Sequence, residues 1–260
     1  MRRHRTVLAC VVSTAVGFGG ALVVRPRAPA EAGIRGDRPD PGAVISAIRT
    51  PQPLVALTLD DGPDPRWTPQ VLAMLRQYHA TATFFDVGRQ AAAYPDLVRA
   101  ELAAGNTVGD HTWSHADLQT LDPPEVAAEL AKGADALRAA GAPAPDLFRP
   151  PYGYTDQAIG VLAAAAGYRT VFWTASVEHF VNHPPGVVGG VDELVEAIHP
   201  GTIILAHDGG VPDRTRTMQA LPLLLSRLKA RGYRVVDVDT LLGAASPPIP
   251  PLPPAAAIAP

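Results

Sequence analysis

The sequence predicts an α/β protein built on a parallel sheet, open or closed into a barrel. Three observations carry that expectation. Strand-like and helical patterns alternate from residue 54 to residue 245. The 260 residues are 47% hydrophobic and 18% charged, enough for one sizeable core. Ionisable residues follow the ends of four strand-like runs, where parallel α/β folds gather their chemistry.

Leu54 to Leu59 is a short apolar run that ends in acids and a Gly-Pro turn, and it reads as a strand. Trp67 to Tyr78 has helical spacing, with Val71, Leu72 and Leu75 on one face. Thr81 to Phe85 is strand-like, Ala91 to Ala104 is helical up to Gly105, and Thr107 to Gly109 is a short strand. Glu125 to Ala140 reads as an alanine-rich helix, preceded by Pro123-Pro124 and closed by Gly141. Thr155 to Ala166 is a further helix and Arg169 to Trp173 a further strand. Val191 to Ile198 is a short helix and Thr202 to Ala206 a strand. Met218, Leu221, Leu225 and Leu228 mark one stripe of a helix that stops at Gly232, and Arg234 to Val238 is the last strand.

The 28 prolines are about twice the usual share. Thirteen of them lie in residues 25–53 and 246–260, which suggests a folded middle between extended ends. Arg2, Arg3 and Arg5 precede an apolar run from Thr6 to Val24, and small residues follow at Ala28-Pro29-Ala30. That order matches a secretory signal peptide, with a single uncleaved membrane span as the alternative. Removing residues 1–30 takes away five arginines and no acids, so 17 basic residues face 25 acidic ones and the charge moves from −3 to −8. The middle of the chain has no basic stripe, which argues against nucleic-acid binding. Cys10 is the only cysteine, so a disulfide within the chain and a cysteine-based zinc site are both excluded.

The four strand ends lead into Asp60-Asp61, Asp110-His111, Glu178-His179 and His207-Asp208. His111 and His115 are four apart, a spacing that on a helical turn puts both rings on one face, able to grip one metal ion. A third ligand can come from Asp60-Asp61, because neighbouring side chains at a strand end point different ways. One carboxylate can then bind metal while the other stays free as a base. Two histidines and one carboxylate leave positions open for water and substrate. Alone, each piece has a plainer reading: a surface histidine pair, a polar turn at Asp60-Asp61-Gly62, a proline-rich loop at Arg149 to Gly153, a glycine loop after His207.

Taken in order, the motifs resemble the polysaccharide deacetylase family, also called the NodB-like domain or carbohydrate esterase family 4. The resemblance covers about residues 52–243. The family's first motif, Thr-Phe-Asp-Asp-Gly, stands here as Thr58-Leu59-Asp60-Asp61-Gly62. The second is His111-Thr112-Trp113-Ser114-His115, the third Arg149-Pro150-Pro151-Tyr152, and the fifth Leu205-Ala206-His207. Ala82-Thr83-Phe84-Phe85 and Ala230-Arg231-Gly232-Tyr233 also have the family's spacing. The resemblance implies a distorted (β/α) barrel of about seven parallel strands. It implies that Asp61, His111 and His115 hold a divalent metal, usually Zn2+, with Co2+ as another candidate. Asp60 would be the general base that activates water, and His207 the acid that protonates the departing amine. The Tyr152 backbone N–H would stabilise the oxyanion, Leu205 and Trp173 would line the substrate pocket, and Arg149 would orient an active-site carboxylate.

The fourth motif, Asp-x-x-Asp-Trp, is altered. Ser176 and His179 occupy the places of the aspartates and Phe180 that of the tryptophan. Glu178 then either takes over as partner of His207 or leaves it without one. The implied domains are a signal peptide or anchor at 1–30, a Pro-rich linker at 31–51, the catalytic domain at 52–243 and a disordered Pro/Ala-rich tail at 244–260. The leading expectation is a monomeric, extracytoplasmic N-deacetylase, secreted or anchored to the outer face of the cytoplasmic membrane. Its partner would be an acetylated glycan, peptidoglycan first, with chitin oligomers and O-acetylated xylan as weaker options. The alternatives are a carbohydrate-binding pseudoenzyme and an amidohydrolase of small N-acyl compounds. Retention of Asp60 argues against a pure binding protein, which has no need for a base.

Overall fold

A computed structural model describes residues 42–211 and 213–245. The expected signal peptide or anchor at 1–30 and the tail beyond Ala245 lie outside the described residues, and no helix among those described is long and apolar enough to cross a membrane.

Nine strands form one sheet: β1 (Val44–Ile45), β2 (Leu54–Asp60), β3 (Thr83–Asp86), β4 (Thr107–Asp110), β5 (Leu147–Phe148), β6 (Arg169–Val171), β7 (Ala175–Ser176), β8 (Ile203–His207) and β9 (Arg234–Val236). Parallel neighbours need crossovers, and helices supply most of them. They are α1 (Thr68–Tyr78), α2 (Gly88–Ala93), α3 (Pro95–Ala103), α4 (Pro123–Ala140), α5 (Gln157–Ala165), α6 (Val177–Val181), α7 (Val187–Ala197), α8 (Thr215–Ala230) and α9 (Val238–Gly243). The strand order is β1-β6-β5-β4-β3-β2-β8-β7, with β9 beside the start of β2, and every pairing is parallel. β6 and β7, near opposite ends of that order, are separated only by Phe172, Trp173 and Thr174. One kinked segment therefore belongs to both ends, and the sheet curls into a distorted barrel. The antiparallel bridge Ala47–Thr202 ties the segment after β1 to the start of β8.

All seven residues of β2 are buried, as in a strand covered on both faces. Its alternation sorts them. Val55, Leu57 and Leu59 pack outward against residues of α1, α7 and α8, while Leu54 and Ala56 join Phe85, Leu147, Val171 and Ile203 in a second, inner cluster. The same period puts Thr58 and Asp60 on the inner side. α4 follows its sequence signals: Asp122 and Glu125 form a capping box, Pro123 opens the first turn, and Gly141 ends the helix at φ +107°.

Four expectations are corrected. The helix read over Ala91–Ala104 is two, because Pro95 has no N–H to donate and holds Tyr94 out of the helical region (φ −130°, ψ 54°). The last strand stops at Val236, since the Asp237 side chain accepts from Thr240 N–H (2.8 Å) and caps α9. The linker expected over 31–51 contributes β1 and the buried Ile45 and Ile48, so the packed unit is already present by Val44. At the other end, Ala244 and Ala245 pack on the inner cluster rather than starting a tail.

Asp110, at the end of β4, is fully buried and accepts from Tyr168 Oη (2.5 Å) and Thr112 N–H (2.8 Å). Burial pushes its carboxyl up to about 7. A folded-state value above the unfolded one means that its contribution to stability is present below the ordinary carboxylate range and is lost as pH rises from about 4 through 7. Asp110→Asn keeps an acceptor for Thr112 N–H and cannot ionise. Its melting temperature relative to the parent should therefore rise between pH 5 and pH 8, by about 2–4 °C for each kcal/mol of relieved ionisation. Thermal unfolding of both proteins at the two pH values checks this; an unchanged gap would refute it.

Candidate active site and metal centre

Strand alternation brings the site together. Asp60 continues the inner side of β2; His207 and Leu205 share the inner parity of Ile203 on β8; His111 shares that of Gly109, whose missing Cβ leaves room for the Phe85 ring. All lie at or just beyond the carboxyl ends of their strands, at one mouth of the barrel.

Asp61, His111 and His115 bring one carboxylate oxygen and two imidazole nitrogens within 4.8 Å of one another. Asp61 Oδ1 lies 3.0 Å from His115 Nε2 and 3.6 Å from His111 Nε2. His111 Nδ1–H donates to the Arg149 carbonyl (2.7 Å), which fixes the tautomer and leaves Nε2 free to bind a cation. This donor set fits a divalent ion of the zinc type. Burial pulls the His111 imidazole down, but the carboxylates of Asp60 and Asp61 outweigh it and hold it above its ordinary value. Burial pushes Asp61 up, and hydrogen bonds and charge from the two histidines reverse this, holding it well below the usual carboxylate range.

The two histidines meet in a loop, not on the helical turn that the spacing suggested. Residues 111–115 are non-helical, and Thr112 (φ 67°) and His115 (φ 60°) are both left-handed. The loop is fastened instead by Asp110 to Thr112 N–H, by Thr112 Oγ1 to His115 N–H (3.1 Å), and by Glu129 of α4, which accepts from Ser114 N–H and Oγ (2.8 and 2.9 Å).

Arg149 is fully buried in the mouth of the barrel. Its Nη1 donates to Asp60 Oδ1 (2.7 Å) and Thr58 Oγ1 (2.8 Å), its Nε to the Val171 carbonyl and its Nη2 to that of Phe172. The guanidinium lies 4.3 Å from the centre of the Phe85 ring. Asp60 Oδ2 is left facing the cluster, 3.8 Å from His111 Nε2. Tyr152 is left-handed (φ 61°) and 56% exposed, with its ring edge-on to His115 at 4.7 Å, and the following Gly153 (φ 68°) seats against the Trp173 ring, where a Cβ would stand 2.8 Å from it. Asp61 (φ 74°), Thr112, His115 and Tyr152 are four of the five left-handed non-glycine residues among those described. Such backbone costs of order 1–3 kcal/mol each and gathers at functional sites.

Residues 47–171 match the family model described as polysaccharide deacetylase. A peptidoglycan-N-acetylglucosamine deacetylase of Bacillus cereus is 39% identical over 201 residues, 77% of this chain and 93% of that protein. The chain belongs to the polysaccharide deacetylase family. A chitooligosaccharide deacetylase of Bradyrhizobium is 38% identical to this polysaccharide deacetylase over 198 residues, 72% of the chain and 90% of that protein. A solved peptidoglycan N-acetylglucosamine deacetylase superposes with a TM-score of 0.72 at 26% identity, over 78% of this chain and 94% of the other.

The altered fourth motif of this deacetylase is resolved by the turn that carries it. Ser176 caps α6 by accepting from His179 N–H (3.4 Å), and His179 points to solvent beside Phe180. Glu178, in the first turn, reaches inward. Its Oε1 accepts from the Thr217 hydroxyl (2.8 Å) and from His207 N–H (3.2 Å), and lies 3.3 Å from His207 Nδ1. Burial pushes Glu178 up, but His207 and Thr217 overcome it and hold the carboxyl below its ordinary value. Burial likewise pulls His207 down, and Glu178 beside it raises the imidazole above 6.5. Sequence patterns did not mark Arg214, whose Nη2 donates to Asp61 Oδ2 (2.9 Å); an arginine in a loop carries no periodic signal.

Removing the Glu178 charge leaves burial as the dominant influence on His207. Glu178→Gln should therefore lower the pKa of the His207 imidazole. Titration of the His207 ring followed by NMR measures it, and an unmoved value would show that Glu178 is not what holds the proton there.

Proposed function

We propose that this chain is a zinc-dependent N-deacetylase of an acetylated cell-wall glycan, with peptidoglycan as the leading substrate, working outside the cytoplasm. The observation that carries this reading is the placement of a free carboxylate, Asp60 Oδ2, and a carboxylate-backed imidazole, His207, around the Asp61–His111–His115 cluster. A base, an acid and a Lewis-acid site at one mouth are the parts that hydrolysis of an amide needs. Names of relatives support the substrate class: peptidoglycan-N-acetylglucosamine and chitooligosaccharide deacetylases. Zn2+ bound by the three ligands would polarise the acetamide carbonyl and make water acidic enough to lose a proton near neutral pH.

The chain's own residues do the rest. Asp60 takes the proton of the attacking water on Oδ2, while Arg149 on Oδ1 holds the carboxylate in place. Water oxygen bonds to the acetyl carbon, and the bond from that carbon to the sugar nitrogen breaks. His207, kept protonated by Glu178, gives its proton to the departing nitrogen, so that acetate and a free amine leave. Tyr152 N–H supports the charge that builds on the carbonyl oxygen. Leu205 and Trp173 bound the space for the acetyl group. The location outside the cytoplasm rests on the basic and apolar pattern of residues 1–30, as a cleaved signal or a single-span anchor.

Acetate release measured across peptidoglycan, chitin oligomers and acetylated xylan should be largest with peptidoglycan. Asp60→Asn should reduce it about 10²–10⁴-fold while zinc still binds. Undiminished release by Asp60→Asn would refute the assigned base, and a preference for xylan would refute the N-acetyl substrate.

A further inference from the structure

Asp61 and Asp60 each have one oxygen occupied by an arginine. Arg149 takes Oδ1 of Asp60 (2.7 Å), and Arg214 takes Oδ2 of Asp61 (2.9 Å). The arrangement around Arg214 is built, not incidental. Its side chain is 6% exposed, and its Nε donates to the Gly209 carbonyl (2.7 Å), so the guanidinium is held at two points. The glycines that precede it close over the back of Asp61. A Cβ on Gly210 (φ +68°) would stand 2.4 Å from Asp61 Oδ2, and one on Gly209 would stand 2.2 Å from the Asp61 carbonyl oxygen. Both positions therefore have to be glycine for Arg214 and Asp61 to meet. The other oxygen, Oδ1, is the one that faces His111 and His115.

We propose that Arg214 is a positioning residue that makes Asp61 a one-oxygen ligand. By occupying Oδ2 it prevents the carboxylate from turning both oxygens to the ion, and so keeps a coordination position for substrate. The inference rests on the reading of Asp61, His111 and His115 as metal ligands. A carboxylate whose outer oxygen is hydrogen-bonded is held in one rotamer, and loss of such a partner typically weakens metal affinity 10–100-fold.

The test compares the parent chain with Arg214→Gln and Arg214→Lys. Zn2+ affinity is measured by competition with a chromophoric chelator, and the visible spectrum is recorded with Co2+ in the site. Thermal unfolding of the metal-free proteins reports their fold. Arg214→Gln should bind Zn2+ about 10–100-fold more weakly. Its Co2+ absorption should also weaken, because the bands lose intensity as coordination number rises. Arg214→Lys, which keeps the charge but cannot hold Gly209 and Asp61 together, should fall between the two. Parent-like affinity and spectrum in Arg214→Gln would overturn the inference. If that variant does not fold, the same result in folded Arg214→Lys would overturn it. Failure of the parent chain itself to bind Zn2+ or Co2+ would instead overturn the reading of the metal site.

Discussion

Two adjacent carboxylates stand at the end of a buried strand, and the rest of the site is organised around pairing each of them with a cation. Burying a carboxylate is costly unless it is paired and hydrogen-bonded. Arg149 meets Asp60 and Arg214 meets Asp61. Arg149 follows β5 and Arg214 precedes α8, so the pair is stable only once the barrel has brought segments 89 and 153 residues away in sequence against β2. Asp61 itself sits in the left-handed region (φ 74°). Two chemically identical groups acquire different surroundings: Asp60 has Arg149 on one oxygen and His111 near the other, whereas Asp61 meets Arg214 and both imidazoles.

Much of this was legible. Leu54 to Leu59 reads as a strand ending in two acids, and neighbouring side chains at a strand end point different ways, which separates a base from a ligand. The parallel sheet then places every strand's carboxyl end at one mouth, which is why acids and histidines after four strand-like runs pointed to one site. Other parts left no such trace. β5 and β7 are two residues each, too short for alternation to register, and β1 lies in a proline-rich stretch that composition assigns to linker. The His111–His115 spacing fits a helical turn as well as the loop that forms, because four residues span similar distances in both. What decides for the loop is a set of side-chain bonds from Asp110, Thr112 and Glu129, of which only Thr112 lies within the motif. Arg214 could not be found from pattern at all, since its meaning depends on two glycines and a carboxylate 153 residues away.

The site is also where the fold accepts cost. Burial raises Asp86 to about 7 and lifts Glu101 and Asp208 well above their ordinary values. Four left-handed non-glycine residues surround the cluster. These are unfavourable locally and persist because the core overdetermines them: β2, β3 and β8 are buried throughout except for the half-buried His207. A site assembled from independently flexible loops could not hold the same strain.

The altered fourth motif shows how a sequence departure can still leave a carboxylate beside the same imidazole. A motif records which residue stands at a register position, whereas the imidazole of His207 depends only on where a carboxylate ends. Ser176, at the position of an aspartate, is well suited to cap a helix, and the short turn of α6 that it opens rotates the next positions. His179, at the second aspartate's position, is carried to solvent, and Glu178 is carried inward. Glutamate has one methylene more than aspartate, and that added reach brings Oε1 to 3.3 Å from Nδ1 while still accepting from Thr217 on α8. The Thr217 bond matters because it holds a longer side chain in one rotamer. Without it, the extra methylene would make the pairing looser than the aspartate it stands in for.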